Sequence, residues 1–136
     1  MFYSTNSDFA KVYEGKRKNE EFARVGGSKG YTTVSLSRSV VRKINLDKWA
    51  AVGYDDKENV LVVIPSFERK PGTFRIYLAG GGSTAMRQII DLTLFFDFFG
   101  VDAKPGRYRV EIAPDAGSVK IFLNDKIGDQ NNEQEN

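Results

Sequence analysis

Cysteine and histidine are both absent from the 136 residues, and much chemistry goes with them. No disulfide framework, thiolate metal site or cysteine nucleophile can be built. A Ser/His/Asp triad is excluded, and zinc would be left with carboxylates alone, a donor set it rarely accepts. Long apolar runs are missing too, since none approaches the roughly 18–20 residues of a membrane-spanning helix. The opening MFYSTNSDFAKVYEGK lacks the apolar stretch of a secretory leader, so a cytoplasmic location and no membrane partner are expected. Neither of the glycine-rich nucleotide-binding spacings occurs. The carboxylate pairs Asp55/Asp56 and Glu20/Glu21 fall in turns or strand ends, where nothing buries them enough to shift a pKa toward acid–base work. The expectation is a non-enzyme with no cofactor and no metal site.

What is present reads as one globular unit. Hydrophobic residues make up 40% and charged residues 28%, ordinary values for a chain of single-domain length. Ten Phe, six Tyr and one Trp are a heavy aromatic load, enough for a substantial core and for a sticky surface as well. The net charge of +2 is unevenly spread: residues 1–48 hold ten of the 20 Lys/Arg but only five of the 18 Asp/Glu. A basic first third points toward a polyanionic partner or toward a solvated lysine-rich surface.

Along the chain, residues 1–19 carry no clear period and read as a loose arm. A strand is expected over EFARV, ending at Gly26-Gly27, and another over Tyr31 to Leu36, which is β-branched and aromatic. Ser37 opens a helix of about two turns in which Val40, Val41 and Ile44 fall on one side and Arg38, Arg42 and Lys43 on the other. Trp49 to Tyr54 and Val60 to Ile64, joined by DDKEN and stopped by Pro65, form a hairpin. After SFERKPG comes an alternating strand, Thr73 to Leu78, then Gly80-Gly81-Gly82. A second helix is expected over 85–99, capped by Ser83 or Thr84 and stopped by Gly100. Strands over Arg107–Ile112 and Ser118–Leu123 make a second hairpin, and the amide-rich, acidic residues 124–136 read as a disordered tail.

The same order thus occurs twice: strand, helix, Lys-containing turn, strand, Asp-containing turn, strand. This predicts an α+β domain of two similar strand–helix–hairpin units, about 21–65 and 73–123, closing together as a small barrel because neither buries its apolar face alone. The pattern VSLSRSVVRKINL…VGYDDKENVLVVIP resembles the AbrB/MazE family of swapped-hairpin DNA-binding domains, and GVDAKPGRYRVEIAPDAGSVKIFL resembles the later part of the same pattern. The resemblance covers roughly residues 31–65 and 73–123. It implies interleaved βαββ units, a dimeric barrel in that family, or a monomeric double-psi barrel in duplicated chains of related type. It also implies DNA contact through the basic residues of the first strand and helix, which map onto Arg38, Arg42 and Lys43. This chain departs from the family in its helix opening, Ser37-Arg38-Ser39, and in the three glycines and long aromatic helix of its second copy.

Two surfaces follow as candidates. Lys16, Arg17, Lys18, Arg24, Lys29, Arg38, Arg42 and Lys43 form a basic set suited to phosphates, or else simply the solvated side of a short amphipathic helix and its approach. Phe95, Phe96, Phe98 and Phe99 crowd one helix too densely for a single buried face. They are covered within the domain, by a second copy in a homodimer, or by another protein, as in an inhibitor or assembly factor of a phage or mobile element. Tyr13, Tyr31, Tyr54, Tyr77 and Tyr108 lie among basic residues and could stack on bases or merely line strand surfaces. The triple glycine ahead of a helix could cradle an anion or serve as a flexible link.

Overall fold

Short runs of alternating apolar residues and two short amphipathic turns give ten elements in the computed structural model, which describes residues 20–28, 30–79 and 87–128. In chain order they are β1 (Ala23–Ser28), β2 (Tyr31–Leu36), α1 (Arg38–Ile44), β3 (Trp49–Asp55), β4 (Val60–Ser66), β5 (Thr73–Ala79), β6 (Arg87–Asp91), α2 (Thr93–Phe99), β7 (Gly106–Ile112) and β8 (Val119–Gly128). Every strand pairing is antiparallel, and the ladder closes on itself in the order β1-β2-β6-β5-β3-β4-β8-β7. The closure is uneven. The β3·β4 hairpin runs from Trp49–Ser66 to Asp55–Val60, whereas β1 meets β7 only over Ala23–Val25.

The expected α+β domain of two strand–helix–hairpin units is therefore corrected: strands account for 53% of the described residues and the two short helices for 14%. The stretch 85–99 explains most of the difference. Residues 85–86, like Ser83 and Thr84 before them, lie outside the described residues; of the rest, Arg87–Asp91 is β6 and Thr93–Phe99 is helical. A helix through Ile89 and Ile90 would leave β2 and β5 with open edges, whereas an extended segment pairs with both and buries Ile90. Two further expectations shift. Pro65 lies inside β4 opposite Ala50, tolerated because β8 stops pairing at Val63–Val119 and leaves that flank open. Residues 124–128 continue β8 beside β7 through a bulge at Tyr108, held by the Arg109–Asp125 ion pair at 2.7 Å, instead of starting a tail.

Exchanging β1 with β5, β2 with β6, β3 with β7 and β4 with β8 maps the whole set of pairings onto itself. The correspondence holds in register: Val25 pairs with Val34 as Ile76 pairs with Ile90, and Val34 and Ile90 then face each other across β2·β6. What is duplicated is hairpin, helix, hairpin. Among the described residues, the pairings within a half are its two hairpins, and the other four seams, β2·β6, β3·β5, β4·β8 and β1·β7, all join one half to the other.

Inward positions of the alternating strands, among them Val25, Val34, Leu61, Val63, Ile90, Val119 and Ile121, fill the barrel, with Val40, Ile44, Leu92 and Phe96 closing over it from the helical segments. β2 and β6 are antiparallel neighbours, and each runs into a helix. Hence α1 and α2 sit over opposite mouths of the barrel.

Candidate nucleic-acid interface

The basic mouth is built around α1. Ser37 is extended (φ −61°, ψ 157°), and its side chain does not cap the helix. Instead its Oγ accepts a hydrogen bond from Phe22 N at 3.1 Å while its own N–H donates to Phe22 O at 2.9 Å, which pins the helix start to the entrance of β1. Val40 and Ile44 point into the core. At the far end Asn45 adopts the left-handed conformation (φ 57°), and Leu46 N donates back to Val41 O at 3.0 Å, a Schellman-type stop. Gly100 and Val101 end α2 in the same way, with Val101 N donating to Phe96 O at 2.8 Å.

This packing leaves Arg38 and Arg42 exposed, one helical turn apart, with exposed Lys43 beside them and no carboxylate in the helix. Lys43 reaches down to an ion pair with Glu21. Arg24 lies on the outer wall two residues past Phe22, directly across from Arg107 of β7, and the Phe22 ring takes both guanidinium groups at 5.8 and 5.1 Å. Arg107 also meets Glu20 at 3.9 Å. Of the basic set read from the sequence, the fold thus brings Arg38, Arg42 and Lys43 to one mouth, with Arg24 on the adjoining wall. Lys16, Arg17, Lys18 and Lys29 lie outside the described residues, as do Tyr13 and Gly80-Gly81-Gly82.

A second basic and aromatic cluster sits where the exchange of halves would put the Arg24–Arg107 pair. Trp49 of β3 is directly opposite Arg75 of β5, whose guanidinium lies 5.3 Å from the indole, and Arg69 of the following loop approaches the same ring at 6.0 Å. Phe67, 89% exposed, and Tyr77, 55% exposed, flank the cluster, and Lys48 precedes it. Sequence reading missed this patch. Alternation in TFRIYL puts Arg75 and Tyr77 on one face, but nothing local places Trp49 across from them.

The other mouth has opposite character. Phe96 is buried, and Phe95 packs edge-on to Phe74 at 5.9 Å and against Phe99 at 4.6 Å, with Tyr54 beyond at 6.3 Å. Leu94 (83% exposed) and Phe98 (81%) project outward, with Phe99 half out. Asp91, Asp97, Asp102 and the β3–β4 turn residues Asp55, Asp56 and Glu58 are all exposed around this end. Asp91 holds the helix start, accepting from Thr93 N at 3.0 Å and from Thr93 Oγ1 at 2.6 Å. Burial, then Asp56 and Asp55, pushes the Tyr54 hydroxyl above the usual tyrosine range, and it donates to Asn59 Oδ1 at 2.6 Å. Of the remaining tyrosines, Tyr108 is in the core and Tyr31 is exposed.

Among the described residues there is no group of three or more His, Cys, Asp or Glu side chains placed to hold a metal ion, and no helix is long and apolar enough to cross a membrane. No family model, curated protein or solved structure matches this chain.

Proposed function

We propose that this chain is a non-enzymatic, cytoplasmic nucleic-acid-binding protein of AbrB-like architecture, a DNA-binding regulator or accessory factor that meets phosphates with the mouth carrying α1. The observation that carries the reading is the exposed Arg38/Arg42 face of α1 with Lys43 beside it, free of any carboxylate within the helix. Cations so placed displace condensed counterions from a phosphate backbone. The four seams that knit one half of the chain to the other support the architecture, because interleaving is what the resemblance implies. A gel-shift titration of duplex DNA across salt tests it. The expected result is affinity that falls steeply with salt, and Arg38→Glu/Arg42→Glu should reduce the log–log slope by about 2, at about 0.9 per lost phosphate contact. Absent binding at low salt, or binding flat against salt, overturns the reading.

Leu94 and Phe98, nearly fully exposed within a ring of carboxylates, favour a second reading in which the α2 mouth docks a protein. A second copy of the chain is the first partner to test. Light scattering after size exclusion should give a mass above 15.3 kDa that Phe98→Glu returns to the monomer. A wild-type monomer removes self-docking.

A further inference from the structure

We propose that the outer barrel wall over β3 and β5 binds single-stranded nucleic acid, stacking unpaired bases on Phe67 and Tyr77 while Arg69 and Arg75 hold the phosphates. This rests on the nucleic-acid reading and names both the strand state and the surface that takes it.

Phe67 gives the fold nothing: with 89% of it exposed, it forgoes the roughly 1.5–3 kcal/mol that burying such a side chain supplies. It projects from a loop that also carries Arg69 and Lys70. Tyr77 lies two residues beyond Arg75 on the same strand face, a step of about 6.8 Å, comparable to the advance per nucleotide of an extended single strand. Trp49 lies beneath. Its indole takes the guanidinium groups of Arg75 and Arg69 at 5.3 and 6.0 Å, which fixes those forks on the wall. Glu68 is engaged by Lys70 at 3.9 Å, and Asp47 is the other carboxylate of the surrounding loops, against Lys48, Arg69, Lys70 and Arg75. The patch therefore keeps a net positive charge. Lys48, exposed, adds a further cation where the chain passes from α1 into β3.

Strand state follows from shape. A duplex hides its base faces in the stack, so rings standing on a convex wall gain nothing from it. Splayed bases offer a face to every ring, whatever their sequence.

Trp49 is the only tryptophan, so its emission reports on this wall without a label. The experiment titrates the full chain with oligo-dT and with a duplex of equal length, following Trp49 fluorescence and the anisotropy of labelled DNA. Oligo-dT should move the Trp49 emission. Phe67→Ala/Tyr77→Ala should weaken oligo-dT by about 30-fold or more, leaving duplex affinity and the thermal midpoint unchanged because both rings are on the surface. Unchanged oligo-dT affinity in that variant, an equal loss for duplex, or a silent Trp49 overturns the proposal. If Arg38→Glu/Arg42→Glu still weakens duplex in that case, the parent reading survives. Failure of both DNAs to bind at low salt removes both.

Discussion

Expressing the chain as two polypeptides, 1–70 and 71–136, leaves every hairpin intact and removes no core residue, yet neither piece should fold alone as a monomer. The cut falls in the exposed loop between β4 and β5. Each piece keeps its two hairpins and loses its partner at all four inter-half seams. For the first piece, the lost cover includes Ile76, Ile90, Leu92, Val119 and Ile121, all buried in the intact chain. At about 1.5–3 kcal/mol per side chain, that is about 8–15 kcal/mol, as large as the whole stability of a typical domain, about 5–15 kcal/mol. Mixed, the pieces should reassemble. With an effective concentration of about 1 mM for a short connection and a stability of about 8 kcal/mol, the dissociation constant is about 1 nM. Circular dichroism melts and size-exclusion mass, on each piece and on the equimolar mixture, read this out. The pieces alone should show no cooperative transition or should form homodimers, and the mixture should regain a single sharp melt. A monomeric half that melts cooperatively would refute the interleaving argument.

Two smaller perturbations probe the α2 mouth. Phe96→Ala should cost about 3–5 kcal/mol because it empties a buried site, whereas Phe98→Ala should stay within about 0.5 kcal/mol; equal losses in denaturant titrations would mean that the faces of α2 are assigned wrongly. With its hydroxyl pushed above the usual tyrosine range, Tyr54 keeps its proton in the native state after the unfolded chain has lost it. Its contribution is therefore complete below about pH 10, the ordinary tyrosine value, and falls away as pH rises through the native pKa. Tyr54→Phe should flatten that alkaline decline and, by removing the bond to Asn59, cost about 1 kcal/mol at neutral pH.

Local signals were legible in the sequence and distant ones were not. Ser37, the spacing of Val40, Val41 and Ile44, and the polar turn Asp55–Asn59 are short-range, and α1 and the β3–β4 hairpin stand where they imply. The segment 85–99 misled because Ile89, Ile90 and Leu92 followed by a phenylalanine run fit a helical stripe as well as a buried strand. Its state is decided by the open edges of β2 and β5, which belong to other parts of the chain. The candidate site divides the same way. Arg38, Arg42 and Lys43 share a helix and could be found together. The meeting of Trp49 with Arg75, and of Arg24 with Arg107, is set by how the ring closes, a property of register that no window of sequence contains.

Two identical half-length chains assembled this way would offer the same residues at both openings, because the operation that swaps the subunits also swaps the openings. Joining the halves covalently lifts that constraint. One opening is free to become cationic while its counterpart turns oily and acidic, giving the molecule a direction that no symmetric pair of such halves can have.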